Sequence, residues 1–117
     1  MRIRVLGAAA GGYVADGSIT EPEYPAAHGC FSGASTNTLR FFFGTDTFDF
    51  RIDSQIAGLT NPVRSFGSFS QALAEVLDAR VYGGMHYRNS TSKGAKIGKQ
   101  VSKYLTNHFF LPSRGRH

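Results

Sequence analysis

The sequence contains one cysteine, no tryptophan and no apolar run long enough to span a bilayer. Because Cys30 is the only cysteine, an internal disulfide and a cysteine metal cluster are excluded. Because no apolar run is long enough, no transmembrane segment is expected. Acidic residues stop at Asp78, although eight lysines and arginines follow it. What remains is a chain of 117 residues, 41% hydrophobic and 18% charged, which suits one modest globular domain with one core.

The N-terminus lacks a convincing signal peptide. Two arginines accompany a short apolar patch there, but the patch ends at Gly11-Gly12 and is too short for a signal sequence. Nothing else in the sequence indicates a compartment, so the cytoplasm is the default expectation.

The net charge of +5 arises after Asp78, where a row of lysines shares one predicted helix. The row consists of Lys93, Lys96, Lys99 and Lys103. Such a row is most often a solvated helix face, but it can also bind acidic lipid, nucleic acid or an anionic substrate. Nucleic-acid motifs are missing, so nucleic acid is not expected as a partner. A non-catalytic basic module that binds anions is therefore one alternative function.

The hydrophobic periodicity predicts an all-α fold. We expect a partial helical bundle of about three main helices, with a short extended or hairpin segment near residues 47–53. Residues 1–20 are expected to be irregular, residues 21–111 to form the helical domain, and residues 112–117 to form a basic tail. The first helix should begin between Pro25 and His28 and stop at Gly44, and the free N–H groups of its first turn favour an anion.

The second helix has the clearest start signal. Ser68-Phe-Ser-Gln71 matches a capping box, in which serine and glutamine side chains satisfy free backbone donors. Phe69 opens an apolar stripe at helical spacing that continues to Arg80. An arginine at the end of a buried stripe is costly without a partner, which favours an anion or carboxylate nearby.

The third helix is predicted to follow His86, to be capped by Asn89, Ser90 or Thr91, and to end at Pro112. Its predicted inward face combines two glycines with larger residues at helical spacing. These are Gly94, Ile97, Gly98, Val101, Tyr104, Leu105 and His108.

Arg80 and His86 flank a glycine pair that breaks the second helix, so the histidine can fold back toward its end. A planar guanidinium and an imidazole suit a tetrahedral oxyanion. An ordinary glycine-capped helix end with nearby cations would explain the same residues. With His28 at the start of the first helix, the three side chains make a phosphate-like pocket with a nucleophile or ligand and an acid/base.

Two stretches carry a family resemblance. Pro22-Glu-Tyr-Pro-Ala-Ala-His-Gly-Cys-Phe-Ser-Gly-Ala34, together with Arg80-Val-Tyr-Gly-Gly-Met-His86, resembles the vanadium-dependent haloperoxidases. That family shares a superfamily with type 2 phosphatidic acid phosphatases and bacterial non-specific acid phosphatases. The resemblance covers about residues 22–111 and corresponds to the C-terminal part of such a protein.

The resemblance implies a role for each site residue. His86 would bind the metal of a vanadate cofactor, Arg80 would hold its oxygens, and the backbone N–H of Ala27 would contact the oxyanion. His28 would be the acid/base, so the catalytic residues would be His28, Arg80 and His86. The implied activity is an oxidoreductase that uses hydrogen peroxide to oxidise halide. In the alternative, a phosphatase-like hydrolase, His86 would attack a phosphate ester.

The sequence departs from the family pattern at several positions. Ala26 and Ala79 replace family serines, and Ser90 stands where many members have an aspartate that orients the metal-binding histidine. An early Lys…Arg-Pro motif does not precede Pro22. These departures predict a fragment with weak vanadate binding and little turnover alone.

The chain is expected to have too few helices to cover its own apolar faces, and this affects its expected oligomeric state. Phe31, Phe42 and Phe69 are expected to form apolar faces that such a short chain leaves uncovered, which predicts a homo-oligomer or aggregation.

Overall fold

The computed structural model describes residues 2–3, 22–53, 58, 62–109 and 111. Three helices and a small sheet make up this part of the chain, which confirms the predicted fold class. In chain order the elements are β1 (Arg2–Ile3), α1 (Ala27–Phe43), β2 (Thr47–Asp53), β3 (Val63–Ser68), α2 (Phe69–Tyr82) and α3 (Arg88–His108). The predicted basic tail, residues 112–117, and most of the predicted irregular N-terminus lie outside the described residues. Within these ranges no helix is both long and apolar enough to cross a membrane.

The sheet is built around the antiparallel hairpin of β2 and β3. Phe50 faces Phe66 across the pair. A register irregularity of the kind that bends a strand lies between Thr47 and Phe50 of β2. The sequence predicted β2, whose apolar and charged residues alternate, but it did not predict β3, which is rich in serine and glycine. It also did not predict β1, which pairs in parallel with β2.

The phenylalanine core lies where the hairpin meets the end of α1 and the start of α2. Its buried members are Phe50, Phe66, Phe69 and Ala72. Phe69 is 1% exposed and stacks on Phe48 and Phe50, with ring centroids 5.5 and 5.4 Å away. The expectation that Phe69 forms an uncovered face is therefore wrong, because the hairpin folds over it.

The first turn of α2 is held by residues of β3 and of the loop between α1 and β2. The Gln71 N–H donates to Ser68 Oγ at 3.0 Å, which confirms Ser68 as the cap. The Gln71 side chain accepts from the Gly67 N–H at 2.8 Å rather than from the cap residue, so the capping box is displaced by one residue. The Asp46 carbonyl and carboxylate accept from the N–H groups of Phe69 and Ser70 at 3.1 Å each, which ties α2 to the end of α1.

Helices α1 and α3 pack in parallel with their backbones in near contact. A Cβ placed on Gly98 would lie on the Cys30 carbonyl oxygen and 2.5 Å from the Ala34 nitrogen. A Cβ on Gly33 of α1 would lie 2.7 Å from the Ala95 carbonyl oxygen of α3. Only glycine fits at these positions, so the helix pair is held by close backbone approach.

The inward face of α3 agrees with the predicted one at Gly94 and Gly98 but differs from it at the larger residues. Its buried residues are Ser90, Thr91, Gly94, Gly98 and Ser102. Ile97, Val101, Tyr104 and Leu105 are 38–58% exposed, and His108 is also exposed. The prediction followed the apolar stripe, but α1 presents its own glycines to α3 and leaves no room for large side chains. The predicted ends are also wrong, since Tyr87 caps α3 without a side-chain bond and the helix stops four residues before Pro112.

Candidate functional site

The loop after α2 folds back on the helix that precedes it. Gly84 adopts a left-handed conformation, φ +72°, and its N–H donates to the Val81 carbonyl at 3.0 Å. The N–H groups of Met85 and His86 both donate to the Arg80 carbonyl, at 3.1 and 3.2 Å. These bonds form a glycine-dependent helix terminus of the Schellman type. The loop therefore returns His86 to Arg80, as the sequence predicted.

Arg80 and His86 form a buried pair. A terminal guanidinium nitrogen of Arg80 lies 3.4 Å from Nε2 of His86. Arg80 is 8% exposed and His86 is 5% exposed. A cation this deeply buried requires hydrogen-bond acceptors or an anion. The prediction that the apolar stripe of α2 ends in a buried arginine is confirmed.

The tautomer of His86 follows from its second ring nitrogen. Nδ1 of His86 lies 2.7 Å from the main-chain carbonyl oxygen of Glu23. A carbonyl can only accept, so Nδ1 must carry the proton and donate it. In the neutral ring, Nε2 then carries the electron pair, which accepts a hydrogen bond from the Arg80 guanidinium. The nitrogen that faces the guanidinium is therefore the one able to bind a metal or attack an electrophile.

Glu23 is the positioning residue that the sequence did not reveal. Its carbonyl also accepts a hydrogen bond from the Ser90 hydroxyl, while its carboxylate accepts from the Tyr87 N–H at 3.0 Å. Ser90 thus supports the carbonyl that orients His86, although the resemblance places an orienting aspartate at its position. The prolines on either side of Glu23 predict an extended chain, but they do not show which carbonyl meets the histidine.

The start of α1 lies at the same end of the bundle. Ala26 is fully buried, and its N–H donates to the Ser90 carbonyl at 3.3 Å. Ala27 is the first residue of α1, and Ala26 supplies no side-chain cap for the N–H groups that follow. A helix N-terminus carries partial positive charge, which favours an anion.

Helical spacing indicates where His28 points. Leu39 of α1 and Phe69 of α2 share the phenylalanine core. His28 precedes Leu39 by eleven residues and Arg80 follows Phe69 by eleven, which is close to three turns in each helix. Since α1 runs toward that core and α2 runs away from it, this spacing favours a position of half-buried His28 on the side of α1 that faces α2.

A cavity of about 470 Å³ opens beside His86. It is lined by Glu23, Val81, Gly84, Met85, His86, Tyr87 and Arg88. A larger cavity of about 870 Å³ lies over the hairpin, and none of the three predicted catalytic residues lines it. The smaller cavity is the one next to the buried pair, because His86 is among its lining residues, while Arg80 and His28 are not.

Comparison with known proteins supports the resemblance. The family model described as the VCPO second helical-bundle domain matches residues 11–112. The crystal structure of the first bacterial vanadium-dependent iodoperoxidase is 41% identical, with a TM-score of 0.66 over 74% of this chain. The match covers 20% of that chain, so this sequence spans about a fifth of the solved relative. No curated protein matches the sequence. The matched domain and the solved structure agree with the fold and with the motifs, and the chain therefore belongs to the vanadium haloperoxidase family.

Proposed function

We propose that the chain binds vanadate through His86 and Arg80 and contributes the halide-oxidising site of a vanadium-dependent haloperoxidase. The observation that carries the proposal is the placement of His86, whose Nδ1 lies 2.7 Å from the Glu23 carbonyl oxygen while Nε2 lies 3.4 Å from the buried Arg80 guanidinium. Hydrogen peroxide and halide are the implied substrates. The solved relative is an iodoperoxidase, so iodide is the first halide to test.

The residues at this end of the bundle suit the cofactor. Vanadate is a tetrahedral oxyanion that needs a nitrogen ligand and hydrogen-bond donors. His86 supplies an imidazole nitrogen whose tautomer is set by the Glu23 carbonyl. Arg80 supplies planar guanidinium donors, and the start of α1 at Ala27 supplies backbone N–H groups. We assign these three residues to cofactor binding, with His86 as the metal ligand.

The protein residues hold and protonate the reacting groups. Bound vanadate would activate hydrogen peroxide for attack by halide without a change in metal oxidation state. Arg80 would offset negative charge in a site from which burial excludes water, where such charge compensation is strong. His28 would take a proton from the incoming peroxide and return it to the departing oxygen. The Glu23 carbonyl keeps the proton of His86 on Nδ1, so that Nε2 stays available as a ligand.

Vanadate titration of the purified chain by calorimetry tests the proposal. We expect His86→Ala and Arg80→Ala each to weaken vanadate binding by about tenfold or more, because each removes a direct contact. The matched controls His108→Ala and Arg51→Ala change exposed residues away from the site and should leave vanadate binding unchanged. Binding that persists at wild-type strength in both site variants would refute the proposal.

An activity assay separates the peroxidase from its phosphatase alternative. Iodide and bromide oxidation with hydrogen peroxide should depend on added vanadate and on His86. Hydrolysis of an aromatic phosphate ester, measured beside it, should be weaker than halide oxidation. Ester hydrolysis that requires His86 and is inhibited by vanadate, without halide oxidation, would instead favour the phosphatase-like hydrolase.

A further inference from the structure

The segment whose carbonyl orients His86 has little structure of its own. Residues 22–25 are exposed and belong to neither a helix nor a strand. Pro22 and Pro25 have no backbone N–H to donate. Within the described part of the chain, the hydrogen bonds that attach residues 22–25 to the rest of the fold are the three formed by Glu23. The position of the Glu23 carbonyl therefore depends on the other contacts of the same residue.

Glu23 binds two consecutive residues of the loop after α2. Its carbonyl oxygen lies 2.7 Å from Nδ1 of His86, and its carboxylate accepts from the Tyr87 N–H at 3.0 Å. The same carboxylate oxygen lies 3.9 Å from Nδ1, which is beyond hydrogen-bond distance. Because the side chain is attached to the peptide group next to the ring, it fixes where the carbonyl of Glu23 meets that ring.

The start of α3 explains why a carboxylate lies here. Tyr87 precedes the helix and provides no side-chain cap, and the first turn of α3 contains no acidic residue. The carboxylate of Glu23, 64 residues earlier in the chain, supplies the negative charge that a helix N-terminus favours. Ser90, which is 1% exposed, donates its hydroxyl to the Glu23 carbonyl from the same turn. The main chain and the side chain of Glu23 are thus both attached to the start of α3.

We propose that the carboxylate of Glu23 is a positioning group of the candidate site. It anchors Glu23 to the start of α3, the anchored carbonyl holds the proton of His86 on Nδ1, and Nε2 stays on the side of Arg80. The carboxylate acts only through His86, so it is not itself a ligand of the oxyanion. This role rests on the proposed function where vanadate is concerned, but the position of the ring is measured without vanadate.

Hydrogen exchange of the His86 ring proton, followed by proton–nitrogen NMR of the full chain, measures how firmly the ring is held. A buried N–H that donates to a carbonyl exchanges slowly with water, and its signal is the one absent from His86→Ala. Glu23→Ala should accelerate the exchange by about tenfold, because it removes the hydrogen bond that anchors the carbonyl. Glu23→Gln, whose amide oxygen still accepts from the Tyr87 N–H, should exchange at the wild-type rate.

Vanadate titration of the same variants measures what the anchor does for the ligand. Glu23→Ala should weaken vanadate binding by about tenfold, whereas Glu23→Gln should keep the wild-type affinity. Glu75→Ala is the matched control, because the Glu75 side chain is 39% exposed, against 44% for Glu23, and its carboxylate binds Arg64 of β3. The control should change neither the exchange rate nor vanadate binding. Far-ultraviolet circular dichroism verifies that the variants keep their helices.

Two results would overturn the role of the carboxylate. One is an exchange rate in Glu23→Ala equal to that of wild type. The other is a Glu23→Gln protein as impaired as Glu23→Ala, because the charge of Glu23 would then be responsible and not its hydrogen bond to Tyr87. A wild-type chain that binds no vanadate would refute the proposed function, and the exchange rates would still decide the role of Glu23.

Discussion

Replacement of Gly98 by alanine tests the close contact that positions the site. The added Cβ would overlap the Cys30 carbonyl oxygen and lie 2.5 Å from the Ala34 nitrogen. Both are backbone atoms inside α1, so neither can rotate away. Ordinary van der Waals contact begins near 3.4 Å, and α3 would have to move by about 1 Å. Gly98→Ala should therefore destabilise the fold and displace the start of α3 from α1.

The size of this effect follows from two opposing contributions. Overpacking costs about 1–3 kcal/mol, and the upper end applies here because backbone meets backbone. Alanine in place of glycine favours the helix by about 1 kcal/mol. The net loss in unfolding free energy should be about 2 kcal/mol, a large part of the 5–15 kcal/mol that stabilises a typical domain.

Urea denaturation at one fixed protein concentration measures this loss, since any dimer makes stability concentration-dependent. Gly33→Ala, whose Cβ would lie 2.7 Å from the Ala95 carbonyl oxygen, should cost less than Gly98→Ala. Ser92→Ala, at an exposed position on α3, is the control and should change little. A Gly98→Ala protein as stable as wild type would refute the close packing of α1 and α3.

Three further predictions concern the loop, the cap of α2 and the core. Gly84→Ala should cost about 1 kcal/mol in urea denaturation, because φ is +72°, and should weaken vanadate binding by displacing His86. Hydrogen bonding from Ser70 lowers the pKa of the Asp46 carboxyl below its ordinary value. Asp46→Asn should therefore destabilise the fold above about pH 4, and the difference from wild type should disappear as pH falls through the lowered pKa. Phe69→Ala should cost about 3–5 kcal/mol in unfolding free energy, since the ring is 1% exposed. A Gly84→Ala or Phe69→Ala protein that is as stable as wild type would contradict the expectation for that variant. An Asp46→Asn effect that does not change with pH would contradict the expectation for Asp46.

Local signals in the sequence were sufficient for α2 and the loop after it. Ser68 as cap, Arg80 at the end of a buried stripe and His86 folded back on its helix depend on neighbours within a few residues. The same holds for the end of α1 at Gly44. Hydrogen bonds and steric preferences over such short separations are set by residue type, and the structure agrees with each of these predictions.

The orientation of α3 depended on the partner it packs against. The prediction placed Gly98 and Val101 on one inward side. Gly98 is inside, but Val101 is exposed, because the glycines of α1 admit only the backbone of α3. Hydrophobic periodicity cannot distinguish these outcomes, because it records the side chains of one helix and not the shape of the facing one.

The sequence by itself determined the family, the three helices and the pair of residues, Arg80 and His86, that the candidate site is built on. Only the tertiary structure decided how that pair is oriented. The Glu23 carbonyl, 63 residues away in the chain, directs Nε2 of His86 toward Arg80. A main-chain carbonyl is common to every residue type, so no sequence pattern marks the one that folding brings to the histidine.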